Sequence, residues 1–198
     1  MRKGMYSRTT RETDIRVAVT VDGDGTAECH IPVPFLTHML DAMCRHGGFT
    51  LEIEGKGDCE VDVHHFVEDT GFVIGKTFAD ALGDFRGIFR AGSCIMPMDE
   101  SLVMAALDFS GRPYCECEFG LGRVVIGMCD TESIEEFFAG FSRGAGMTLH
   151  ITAMKSGNAH HTVEAAFKAF GRALARACEK SGTVETSTKG VIERGNNR

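Results

Sequence analysis

Apolar residues recur along the 198-residue chain at two periods, and the alternation between those periods repeats. In IRVAVTVDG from Ile15, and again in SLVMAALDF from Ser101, apolar and polar positions alternate as on a half-buried strand. GTAECHI from Gly25 and YCECEF from Tyr114 carry the same alternation, giving each region a second strand. Helical spacing takes over at FLTHMLDAM and IEEFFAGF, which predict amphipathic helices over about 35–46 and 132–144. Glycine-punctuated segments over 48–63 and 146–156 then read as hairpins, and each leads into a further helix opened by two adjacent histidines.

The repetition extends to residue identity. RHGGFTLEI from Arg45 aligns with RGAGMTLHI from Arg143 at an offset of 98, with five of nine positions identical. HHFVEDTGFVIGKTF from His64 aligns with HHTVEAAFKAFGRAL from His160 at an offset of 96, so two residues are missing from the second turn. The chain therefore reads as two duplicated α+β half-domains, residues 1–92 and 93–198. Each is a small mixed or antiparallel sheet backed by helices, and the halves are related by a pseudo-twofold axis. The unit is too long and too few in number for a solenoid.

Composition narrows the function classes. With 43% hydrophobic and 25% charged residues, 4 Pro and no Trp, the chain has the profile of a folded globular protein. A formal charge of −7 lacks the footprint of a general nucleic-acid binder, so an anionic substrate needs a locally basic pocket. No apolar run reaches membrane-spanning length and the first twenty residues hold no signal-type apolar core, which gives the expectation of a cytoplasmic protein without membrane attachment. The 8 cysteines show no CxxC or finger spacing and read as buried reduced thiols, with a redox or zinc role as the alternative.

The two HHxxE motifs carry the chemistry. On a helix, Glu68 lies four residues after His64 and three after His65, so the carboxylate and one imidazole share a face while the second imidazole points about 100° aside. The same holds for His160, His161 and Glu164. Adjacent imidazoles aimed in different directions suit ligands of different metal ions, and an imidazole and carboxylate set favours Mn, Fe or Zn. The plain alternative is a helix start with two exposed histidines. Duplication also aligns His38 with Glu136, in the helices before each hairpin, as candidates to complete the set.

At this point the sequence resembles the imidazoleglycerol-phosphate dehydratase family. The resemblance covers nearly the whole chain and rests on RTTRET (8–13), PFLTHML (34–40), RHGGF (45–49), HHFVED (64–69), PMDE (97–100), SGRPY (110–114), GNAHHTVEAAFKAFGRAL (157–174) and STKGV (187–191). It implies a ribosomal protein S5 domain 2-like fold and two Mn ions per active site. The implied ligands are His38, His64, His65, Glu68, His160, His161 and Glu164, with Glu136 standing where the family often has His. Two smaller departures are Thr37, where Asp is common, and Phe66, where a small polar residue is common.

The implied reaction dehydrates imidazole glycerol phosphate to imidazole acetol phosphate in histidine biosynthesis, through a metal-held imidazolate and a diazafulvene-like intermediate. Glu12, Glu164 and Asp99 match as proton-transfer candidates, and Arg90, Arg112, Ser187 and Lys189 as the receptor of the substrate phosphate. Glu12, His38, His46, His64 and His65 are the other expected substrate contacts. The resemblance further implies a large homo-oligomer, typically a 24-mer, with active sites shared between subunits. A dinuclear phosphate-ester hydrolase and a non-catalytic metal-binding module are the competing readings.

Overall fold

The structure is a computed structural model and describes residues 1–182 of the chain. Its first half runs β1 (Lys3–Thr9), β2 (Thr13–Thr20), β3 (Ala27–His30), α1 (Pro34–Gly47), β4 (Thr50–Gly57) and α2 (His64–Leu82). The second half repeats that order in β5 (Ala91–Met98), β6 (Ser101–Asp108) and β7 (Tyr114–Glu118). A short ribbon follows, β8 (Val125–Ile126) with β9 (Cys129–Asp130), and then α3 (Thr131–Ala145), β10 (Thr148–Lys155) and α4 (Ala159–Cys178). The two larger sheets have matching strand orders, β1-β2-β4-β3 and β5-β6-β10-β7.

Register matches as well. Ile53 of β4 lies between Val17 of β2 and Cys29 of β3, and Ile151 of β10 lies between Ala105 of β6 and Cys117 of β7. Ile15, Val17 and Val19 point inward while Asp14 and Arg16, which alternate with them, face solvent, as the alternation read from the sequence expects. The helices of one half pack on those of the other, α2 on α3 and α1 on α4, so the helices form the middle layers. Buried side chains from both halves belong to one core, with Phe137, Phe138, Phe141, Phe167 and Phe170 among its largest.

The two helix seams differ. Gly71 and Gly75 of α2 face Gly140 and Gly144 of α3, and a Cβ at Gly71 would lie 2.1 Å from the carbonyl oxygen of Phe137. The α2 and α3 backbones thus touch. Between α1 and α4, Gly171 makes the corresponding approach, 2.3 Å from a built Cβ to the Met43 carbonyl.

Three features correct the sequence reading. The expected hairpins over 48–63 and 146–156 are single strands, β4 and β10, followed directly by helices. The reason is topological: β3 reaches β4 through α1 and runs parallel to it, so β2 and β3 already occupy both edges of β4, as β6 and β7 do for β10. Since β4 and β10 have equal length, the two-residue deletion falls in the connection to the next helix. Strands β1 and β5 are additional. Their inward positions include Gly4 and Gly92, which press on α2 and α4 without the apolar bulk that marks a strand in sequence.

Candidate metal centre

Each histidine pair sits on the first turn of a long helix. Asn158 caps α4, its side chain accepting the backbone N–H of His160 at 2.9 Å and of His161 at 3.3 Å. At α2 the Asp62 carboxylate accepts the His64 N–H at 2.8 Å. Within each pair the rings stand nearly perpendicular, 85° between His64 and His65 and 86° between His160 and His161. One helical turn therefore aims two imidazoles in two directions.

The inner direction leads to Glu164. His160 Nε2 lies 3.2 Å and His38 Nε2 3.4 Å from Glu164 Oε2, so α1 and α4 together gather two imidazoles on one carboxylate oxygen. These three side chains offer donor atoms within 4.8 Å of one another. The other oxygen, Oε1, is held by Lys168 Nζ at 2.7 Å. Glu164 is buried, and burial alone would raise its pKa; the Lys168 hydrogen bond and charge, with His38 and His160, outweigh that and lower it.

The outer direction leads to the turn between β5 and β6. His161 Nδ1 is 3.2 Å from Glu100 Oε1 and 3.7 Å from Asp99 Oδ2, and these three form a second donor cluster. Glu100 also accepts the Asn158 backbone N–H at 2.7 Å, and that bond heads the interactions that hold its pKa down at about 2. Asp99 occupies the turn with φ of 48°.

The first half repeats the plan with different partners. His65 Nδ1 meets Asp58 Oδ2 at 3.0 Å, and this contact raises the imidazole pKa, with a smaller push from the charge of Glu12. Glu12 lies in the turn between β1 and β2, its carbonyl accepting the Asp58 N–H at 3.0 Å. His64 Nε2 is 3.8 Å from Glu68 Oε2, and Arg143 of α3 takes the other Glu68 oxygen. Glu136, half-buried on α3, belongs to neither donor cluster among the described residues.

The expected phosphate receptor is elsewhere. The Arg90 N–H donates to the carbonyl of Ala177 near the end of α4, and the Arg90 carbonyl accepts the Phe109 N–H, which brings the Arg112 turn to the same end of the sheet. At about 1.5 Å of rise per residue, Ala177 is about 26 Å along α4 from His160. His46 lies in the last turn of α1; burial lowers its pKa, and the charges of Lys168 and Arg172 act in the same direction. Ser187 and Lys189 lie outside the described residues.

The sequence reading does not single out Asp58, Arg143 or Lys168. Lys168 is recoverable from its i,i+4 spacing to Glu164. Arg143 meets Glu68 across 75 positions, and no local pattern announces that.

Comparison with known proteins decides between the readings. The family model described as imidazoleglycerol-phosphate dehydratase matches residues 31–174. An imidazoleglycerol-phosphate dehydratase of Thiobacillus denitrificans is 48% identical, covering 97% of this chain and 100% of its own. The chain belongs to the imidazoleglycerol-phosphate dehydratase family. The crystal structure of the dehydratase from Staphylococcus aureus is similar at a TM-score of 0.80, with 36% identity over 90% of this chain and 99% of that one. The Pyrococcus furiosus structure, in complex with (S)-C348, gives a TM-score of 0.82 with 36% identity over 94% and 100%. This chain is thus an enzyme of the dehydratase family with the duplicated α+β fold. Its departure at Phe66 is accommodated locally: the ring is buried against Gly55 and Gly57 of β4, where a Cβ on Gly57 would come 2.9 Å from it.

No helix among the described residues is long and apolar enough to cross a membrane. The eight cysteines are free thiols, and burial pushes Cys29 up to about 11 and Cys115, Cys129 and Cys178 to about 12, which keeps them protonated and unreactive near neutral pH.

Proposed function

We propose that this chain dehydrates imidazole glycerol phosphate to imidazole acetol phosphate in histidine biosynthesis, as a cytoplasmic homo-oligomer of the family's 24-mer type whose active site is shared between copies. Family membership supports the reaction. One observation supports the sharing: the His38, His160 and Glu164 cluster and the Arg90 backbone sit at opposite ends of α4. Three carbons and an ester oxygen separate the substrate ring from phosphorus, a span of about 7 Å at ordinary bond lengths. One chain's cluster and the same chain's Arg90 are too far apart to hold both ends, so a second copy has to supply one of them.

The donors fit a divalent transition metal. Two imidazole nitrogens face one carboxylate oxygen at His38, His160 and Glu164, and a nitrogen and oxygen set of this kind suits Mn. Three donors fill half of an octahedral shell, which again calls for residues from another copy. His38, His160 and Glu164, with His64, His65, Glu68 and His161, would hold two Mn ions per site. Bound there, the metal supplies Lewis acidity that stabilises negative charge on the substrate ring.

The chain's own groups handle the protons. The hydroxyl on the carbon attached to the ring leaves as water after receiving a proton, as electron density from the deprotonated imidazole forms a double bond to that carbon, with Asp99 a candidate for that transfer. A carboxylate, Glu12 or Glu164, then takes the proton from the next carbon, and the electron pair left behind forms the enol double bond while the ring recovers its electrons. The enol that results tautomerises to the ketone. Lys168 keeps Glu164 ionised and so able to accept a proton. Arg90 and Arg112, with Ser187 and Lys189 of the tail, bind the phosphate through charge-assisted hydrogen bonds.

The test reconstitutes metal-stripped protein with Mn and follows formation of enolisable ketone from imidazole glycerol phosphate. Ketone without phosphate release is expected; phosphate release instead would indicate a hydrolase. Sharing is tested by co-assembling Glu164→Gln chains with Arg90→Ala chains. Mixed particles should exceed both parents in activity, and mixtures no better than the parents would defeat the shared site.

A further inference from the structure

Arg90 and Arg2 occupy equivalent places in the two halves. Lys3 at the start of β1 pairs with Thr20, and Ala91 at the start of β5 pairs with Asp108, so each arginine immediately precedes the first strand of its sheet. Their side chains are engaged differently. Arg2 is fully committed: Nε and Nη2 bind the Asp22 carboxylate, and Nη1 donates to the carbonyl of Cys178. Arg90 is held at Nε alone, 2.8 Å from Asp108 Oδ1, and its side chain has no other partner among the described residues. Both contacting atoms are shielded from solvent, and the approach is an ion pair rather than an aligned hydrogen bond.

The backbone at Arg90 is also held in an uncommon state. Its φ is 70°, in the left-handed region that a side chain disfavours. The bonds from its N–H to Ala177 and to its carbonyl from Phe109 fix that conformation. Such strain persists where surrounding contacts over-determine it, and it concentrates at functional sites.

We infer that Asp108 is a positioning residue for anion binding: by holding Arg90 at Nε it fixes the guanidinium plane and leaves both terminal nitrogens free for an oxyanion. The terminal pair is the edge that can also meet two oxygens of one phosphate. The inference rests on the reading of Arg90 as part of the substrate-phosphate receptor and adds the residue that prepares it. The carboxylate also takes up the one arginine nitrogen that would otherwise be buried without a counter-charge.

The test uses the assembled, Mn-loaded protein and four chains: Asp108→Asn, Asp108→Ala, Arg90→Ala and the double Arg90→Ala/Asp108→Asn. KM and kcat are measured for imidazole glycerol phosphate, and inorganic phosphate is titrated as a competing anion. Asp108→Ala should raise KM and the phosphate inhibition constant together by about tenfold, the low end for a bond to a charged partner, with kcat changed less than about twofold. Asp108→Asn, which keeps an acceptor of the same shape, should raise them about threefold. The double variant should equal Arg90→Ala, because the effect runs through Arg90. A purely structural Asp108 would lower melting temperature or particle size without moving either constant. An unchanged KM in Asp108→Asn beside a raised KM in Arg90→Ala overturns the inference alone; an unchanged KM in Arg90→Ala overturns the reading beneath it. The Asn variant, being isosteric, keeps the test decisive even where Asp108→Ala does not assemble.

Discussion

The two HHxxE turns share a motif and a backbone setting yet face different partners across their helix seams. At α4, the carboxylate of Glu164 gathers His160 and His38 on one oxygen and Lys168 on the other. At α2, Glu68 has His64 at 3.8 Å and Arg143 as its cation, and the residue aligned with His38 is Glu136. One oxygen of Glu164 thus faces two imidazole nitrogens and its cation comes from its own helix, whereas Glu68 has one imidazole, farther off, and its cation comes from the neighbouring helix. The α2–α3 seam also brings backbones together through four glycines, while the α1–α4 seam uses bulkier residues over most of its length. A duplicated motif fixes donor types; the helix it packs against fixes what those donors can hold.

The comparison breaks most visibly in activity. Glu164→Gln should lower kcat by about 10² to 10⁴-fold, the range for losing a positioned proton-transfer group, measured on Mn-loaded protein of unchanged particle size. A variant with near-normal kcat would remove Glu164 from the chemistry.

Next comes metal stoichiometry. His38→Ala should lose bound metal, measured by elemental analysis after gel filtration, because His38 is one of only three donors in its cluster. Glu136→Ala, the aligned position of the other half, should keep its metal, since the proposed ligand set does without it. Equal loss in the two variants would show that the halves are functionally symmetric after all.

The seams give the third contrast. Gly71→Ala puts a methyl 2.1 Å from a backbone carbonyl that cannot rotate away, and should destabilise the fold by about 3 kcal/mol in chemical denaturation. An alanine tolerated within about 0.5 kcal/mol would mean that the α2–α3 seam yields more easily than its backbone contacts require.

The smallest effect is on pH dependence. The folded-state pKa of Glu164 lies below its ordinary value, so its ionised form adds stability that is complete above the ordinary value of 4.5 and is lost as pH falls through the lowered one. In metal-free protein, Glu164→Gln should therefore flatten the fall in melting temperature below about pH 5 relative to the parent chain. A parallel fall in both proteins would mean that the Lys168 contact has little energetic weight.

The duplication, the helices around His38 and Glu136, the strands from Ile15 and Ser101, and the candidate metal donors His38, His160, His161 and Glu164 are legible in the sequence, because periodicity and residue type are local properties of the chain. The hairpins read over 48–63 and 146–156 show the limit of that logic: a strand's neighbours are set by which edges other strands already fill. Glu136 shows it again. Alignment places it opposite His38, yet it belongs to neither donor cluster among the described residues. The pairing of Asp108 with Arg90, the carboxylates behind His65 and His161, and the separation of the His38, His160 and Glu164 cluster from Arg90 along α4 were decided by tertiary structure alone. Each depends on distances between residues far apart in sequence, which no pattern within a short window encodes.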